Sequence, residues 1–253
     1  MKKILMALVV VLALTSSALA VPVYDYSYGG NTVPDIQSLF VDWGMTPTYD
    51  AVTSQTGVEL WSPHAFGGTT TMIFAQNFSR GDIFGIYNSA LTYVPLFTGT
   101  VTPPSFVSVG WNGNDVTVGS TTYSNFGRVF GYYFQYNGTS AEKVYSETWR
   151  NDGKLGSTTN VDEAFMLAFR GNGNNYNIGG FGVGRFGNDD WIIAGDYYTH
   201  GIDQTTKFQL KDFNDYVVFV SEAQPAVPEP ATMLLLGSGL IGLAGFARKR
   251  FKK

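Results

Sequence analysis

Phe106-Val107-Ser108-Val109-Gly110-Trp111, then Asn112-Gly113-Asn114-Asp115, then Val116-Thr117-Val118: this stretch reads as strand, turn, strand. Its outer runs are rich in β-branched and aromatic side chains, which suit a pleated, half-buried surface. The Asn-Gly between them supplies the positive φ that a tight hairpin requires. The same rhythm continues in both directions. Strands are expected at 70–75, 83–87, 128–136, 143–149, 165–169, 176–183, 191–197, 207–210 and 216–220. Further turn signals are Asn137-Gly138-Thr139, Asn151-Asp152-Gly153 and Gly171-Asn172-Gly173-Asn174-Asn175. Helical spacing is confined to 33–43, where Pro34 suits the first helical position and Asn31 or Thr32 the cap. Ile36, Leu39 and Phe40 then share one face. Nineteen Phe, fifteen Tyr, five Trp and thirty Gly fit the same picture. The expected fold is all-β: a single antiparallel β-sandwich, jelly-roll-like, with one short N-terminal helix.

Both ends of the 253-residue chain differ from this middle. Residues 1–20 carry Lys2 and Lys3, an apolar run over 4–14, and small residues at Ala18 and Ala20. These are the three parts of a secretory signal peptide, with cleavage expected after Ala20. Eleven apolar residues are too few to span a bilayer as an uncleaved anchor. The other end reads Val227-Pro228-Glu229-Pro230, an apolar run over 231–247, then Arg248-Lys249-Arg250-Phe251-Lys252-Lys253. As a helix those apolar residues reach about 26 Å. That suffices for a transmembrane helix if flanking side chains snorkel, with the basic cluster on the cytoplasmic side. On physical grounds alone this is a plain C-terminal anchor.

The combination of Val-Pro-Glu-Pro, a short apolar helix containing Gly237, Gly239, Gly242 and Gly245, and a terminal Arg/Lys cluster resembles the PEP-CTERM sorting signal of bacterial envelope proteins. The resemblance implies an exosortase partner, an integral-membrane cysteine protease that recognises and removes the tail. It implies transient inner-membrane anchoring, then release to the cell surface or an exopolysaccharide matrix. It covers 227–253 and is silent on what residues 21–226 do.

Between the two ends, nine basic side chains face nineteen acidic ones, a net charge of −10. Such a surface repels phosphate backbones, so no nucleic-acid partner is expected. The chain has no cysteine, which excludes disulfides, thiolate metal sites and cysteine nucleophiles. With only His64 and His200 a three-histidine zinc site is excluded too. His64 has no Gly-x-Ser-x-Gly elbow to accompany it, and His200 falls in an expected loop. Gly179–Gly184 lacks a βαβ setting and reads as a glycine-rich strand or bulge. Nineteen acids make carboxylate pairs inevitable, so a polysaccharide-acting hydrolase is only a third reading.

The richest polar region lies near the end of the middle section. If strands 191–197 and 216–220 pair as a hairpin, Asp196, Asp203, Asp212, Asn214 and Asp215 converge as oxygen ligands of the kind calcium takes. The same aspartates would also serve as turn formers in a solvated loop, with Lys207 and Lys211 to neutralise them. Trp61, Trp111 and Trp149 are either stacking platforms for sugar rings or inter-sheet filling. The Asp212-Phe213-Asn214-Asp215 signature also resembles that of a family of secreted bacterial domains of unassigned function. Similar family features are Phe84-Gly85-Ile86-Tyr87, Phe130-Gly131-Tyr132-Tyr133, Tyr145-Ser146-Glu147 and Met166-Leu167-Ala168-Phe169. That resemblance implies a secreted setting with calcium association. It departs at Gly195-Asp196, where the family has an acidic pair, and in the longer loop 200–211.

The functional expectation is an exported, exosortase-processed surface or matrix protein with a non-enzymatic structural or binding role and calcium as its candidate ion. A carbohydrate-binding module for exopolysaccharide is the alternative.

Overall fold

The hairpin at 106–118 forms as its sequence reads. Asn112 pairs with Asp115 across the turn, and Gly113 takes φ +62°, a conformation only glycine adopts without strain. The computed structural model describes residues 35–45, 49–64, 67–75, 81–135, 143–151, 165–196 and 213–226. The expected signal peptide with Ala18 and Ala20, the strand at 207–210 and the tail from Val227 onward lie outside the described residues.

Helix α1 (Ile36–Asp42) is capped by Asp35, whose Oδ1 accepts the Ser38 amide at 2.6 Å. The cap is thus later than the expected Asn31 or Thr32, which with Pro34 lie outside the described residues. Aspartate satisfies an orphan N–H of the first turn as well as serine or asparagine would. Ile36, Leu39 and Phe40 are buried on one face, as their spacing requires.

Strands are numbered along the chain, and all pair antiparallel. An eight-stranded sheet runs β1 (Gln55–Thr56), β11 (Met166–Arg170), β14 (Trp191–Gly195), β15 (Tyr216–Val220), β3 (Gly67–Ala75), β6 (Ser105–Asn112), β7 (Asp115–Val118), β8 (Thr121–Tyr123). A four-stranded sheet runs β10 (Lys143–Tyr145), β9 (Gly131–Gln135), β4 (Ile83–Tyr87), β5 (Tyr93–Thr98). Two small pairs complete the set: β12 (Asn175–Ile178) with β13 (Gly182–Arg185), and β2 (Trp61–Pro63) with β16 (Ala223–Pro225). The sheets are not closed; of the all-β expectation, the described residues show a mostly-β fold with one helix.

Alternation of side chains splits the large sheet into two apolar faces. One face presents Met72, Val109, Ile193, Tyr216 and Val218 to Phe84, Ile86, Val94, Tyr132 and Phe134 of the small sheet, forming the main core. Tyr216 stacks on Phe134 with ring centres 4.6 Å apart and lies 5.3 Å from Phe84. The other face, with Ile73, Phe169, Ile192, Val217 and Phe219, is covered by α1 and the β12–β13 pair. Burial on both faces explains why β14 and β15 read as continuous apolar runs.

Two expected strands are corrected. The run 176–183 breaks at Gly180 and Gly182, both at positive φ, and is a hairpin rather than one strand. The run 143–149 stops at Tyr145, and Thr148–Asn151 forms a 3-10 turn. There the Asn151 side chain takes over the pairing, accepting from the Tyr145 amide and donating to its carbonyl.

Candidate functional site

The turn that replaces the end of the expected strand builds a network of aromatic rings around one carboxylate. Glu147 is buried. Its Oε2 accepts the Tyr87 hydroxyl at 2.6 Å and its Oε1 accepts Trp149 Nε1 at 3.1 Å. Arg150 Nε also donates to Oε2. The guanidinium stacks on Trp149, 4.2 Å from its ring centre, and lies 5.5 Å from that of Tyr87. Burial, followed by the Glu147 bond, pushes the Tyr87 hydroxyl far above its ordinary value. It therefore stays a proton donor to Glu147 at any physiological pH. Beside it Tyr93 and Tyr145 share a hydroxyl–hydroxyl bond of 2.8 Å, with Lys143 over the Tyr93 ring. Three donors on one carboxylate leave a fixed ion pair with an indole held against it.

Of the three tryptophans singled out as platforms, Trp61 and Trp111 are buried in the main core, while Trp149 is half exposed. Tryptophan content alone does not separate them, because an indole fills a core as readily as it lines a surface. The signal that could have done so is Thr148-Trp149-Arg150-Asn151, where a bulky residue flanked by polar ones leaves the strand period.

The terminal acidic region is partly described. Strands β14 and β15 pair as expected, and the Gly195↔Tyr216 register sets Asp196 and Asp215 at the same end of the sheet. Asp196, Asn214 and Asp215 are buried, which corrects the picture of a solvated loop at these three positions. Asp203 and Asp212 lie outside the described residues, as do His200, Lys207 and Lys211. Among the described residues no three imidazole or carboxylate groups stand together as a metal-holding set. Position 195 has no room for a side chain. A Cβ there would lie 1.9 Å from Cζ of Tyr216, whose ring folds over the glycine.

His64 faces two carboxylates, with Nε2 3.6 Å from Asp189 and Nδ1 3.9 Å from Glu222. Arg170 approaches Asp189 at 4.0 Å. The adjacent Asp190 accepts the Gly187 amide at 2.7 Å. Burial, opposed by that bond and reinforced by Glu222 and Asp189, holds its carboxyl above the usual range. All of His64, Asp189 and Glu222 are well exposed. The cluster ties the loop after β2 to the loops before β14 and β16, segments that no local sequence pattern joins.

Residues 226–250 match the PEP-CTERM protein-sorting motif. This covers Val227, Pro228, Glu229 and Pro230 and marks the chain as an exported protein that exosortase sorts at the membrane. No curated protein and no solved structure matches the chain. Among the described residues no helix is long and apolar enough to cross a membrane, and 231–247 lie outside them.

Proposed function

We propose that residues 21–226 are a non-enzymatic surface or extracellular-matrix module of sandwich class. In this reading the segment 1–20 directs its export, and an exosortase-type protease releases it from the 227–253 tail. The observation that carries this reading is the sorting motif at 226–250, which begins where β16 ends. Two facing open sheets with an aromatic core support a rigid structural role. The self-contained Glu147 network supports it too, since its carboxylate is occupied by three donors of its own fold. The acidic surface keeps nucleic acids away. The test is fractionation with and without the exosortase. The chain should stay in the membrane fraction without the enzyme and reach the surface with it. Equal surface recovery in both would overturn the reading.

One observation favours a second role, binding of exopolysaccharide: Trp149 presents a half-exposed indole whose orientation Glu147 fixes. Aromatic faces of this kind stack on sugar rings. Retention on the polysaccharide should weaken in Trp149→Ala, and product release on incubation would instead point to the hydrolase reading. Calcium at Asp196, Asp203, Asp212, Asn214 and Asp215 completes the proposal. Its support is the burial of the three described members at one sheet end.

A further inference from the structure

The fold holds the chain up to the first residue of the sorting motif. Ala223, Gln224 and Pro225 of β16 pair with Pro63, Ser62 and Trp61, and the Ala226 amide donates to the Leu60 carbonyl at 2.9 Å. The apolar run begins at residue 231. Five residue steps reach at most about 18 Å. Of this, about 5–8 Å is taken up by the headgroup layer of one leaflet. While the tail is uncut, the point of exit therefore lies within about 10–13 Å of the headgroups. A body of some 200 residues is roughly 40 Å across, so it cannot hang clear of the surface.

Exposed apolar side chains stand near that exit, beside the Glu59 carboxylate and the exposed Gln224. On one side Glu59, next to Leu60, accepts the Thr148 amide at 3.1 Å and the Thr148 hydroxyl at 2.6 Å, which places Trp149 beside the exit. On the other side Trp61 and Phe130 exchange backbone hydrogen bonds as an antiparallel bridge, which sets Val129 beside Ser62, two residues along from Leu60. Leu91, in the turn after β4, lies at the same end of the small sheet, where Tyr87 pairs with Gly131. Trp149, Val129 and Leu91 are 51%, 47% and 42% exposed. They are half of the six exposed large hydrophobic side chains among the described residues. The Glu147–Arg150 pair beneath Trp149 is internally neutral, and the Glu59 carboxylate beside it keeps two hydrogen bonds from Thr148.

We propose that this exit end, with Trp149 as its anchor, seats in the headgroup layer of the membrane that the sorting tail crosses, and that processing frees it. Tryptophan is the residue that prefers this layer, with an apolar ring and one polar edge. The proposal rests on membrane anchoring by the 231–247 segment.

The test uses the full, uncut chain reconstituted into phosphatidylcholine vesicles with lipids brominated on the upper acyl carbons. The other four tryptophans, at 43, 61, 111 and 191, are buried, so contact quenching reports Trp149. Emission should be quenched and blue-shifted in the native chain, and the quenching should be lost in Trp149→Phe. A native circular-dichroism spectrum of the variant confirms that the fold persists. Quenching retained in Trp149→Phe overturns the proposal. So does a vesicle-bound chain without quenching; if Trp149→Ala then slows tail removal, the surface docks on the protease instead. A chain that does not float with vesicles at all refutes the anchoring on which both readings depend.

Discussion

Replacing Gly195 with alanine tests the packing at the centre of the fold. Gly195 pairs with Tyr216 across β14 and β15, and the tyrosine ring folds back over it. An added Cβ would meet Tyr216 Cζ at 1.9 Å, Oη at 2.1 Å and Cε1 at 2.4 Å. The ring cannot swing away, being wholly buried and stacked on Phe134. Overpacking a tight core costs about 1–3 kcal/mol, and a ring confined on both faces puts this case near 3 kcal/mol. For a domain of this size that lowers Tm by about 6–12 °C. The assay is thermal and urea unfolding of the full chain in mild detergent, followed by tryptophan fluorescence. Tyr216→Leu removes the ring and alone costs about 2 kcal/mol through the cavity it leaves. The double variant should then recover about 1–2 kcal/mol relative to the sum of the single losses. A Gly195→Ala cost under about 0.5 kcal/mol, or strictly additive losses, would refute the argument.

Four further outcomes are expected. Tyr216→Phe should stabilise by about 1 kcal/mol, because its buried hydroxyl has no hydrogen-bond partner among the described residues. Glu147→Ala should destabilise by about 3 kcal/mol, since it strands a part-buried arginine and the Tyr87 hydroxyl; chemical denaturation reads both. Asp190 holds its proton more tightly folded than unfolded. Its charging therefore erodes stability as pH rises from the unfolded value through the raised folded one. Asp190→Asn, which keeps an acceptor for Gly187, should be more stable than the native chain at pH 7 and lose that advantage below about pH 3.9. For a calcium site of extracellular affinity, about 10 mM calcium is roughly 10–100 times Kd and should add about 1.4–2.7 kcal/mol over chelator. Asp212→Asn with Asp215→Asn should abolish that gain, and no shift in the native chain would make these aspartates structural.

Strand rhythm and turn chemistry were legible because they are local. Asn-Gly at 112–113 and the continuous apolar runs at 191–195 and 216–220 need no distant partner to be read. The split of 176–183 is not legible locally, because its glycines fit a bulge as well as the turn that positive φ at Gly180 and Gly182 makes. Strands β2 and β16 were not visible, since each carries a proline and is short; only their mutual pairing makes them strands. The exposed Trp149 and the Glu147 network follow from long-range contacts, with Tyr87 sixty residues away. The sorting tail was the most legible part, because its three features are consecutive and each has its own composition.

Intact-mass measurement of the protein recovered from the cell surface tests the central claim most directly. The account predicts a chain that begins at Val21 and lacks the 231–253 segment, ending near Pro228-Glu229-Pro230. A surface protein whose mass still includes 231–253 would contradict it.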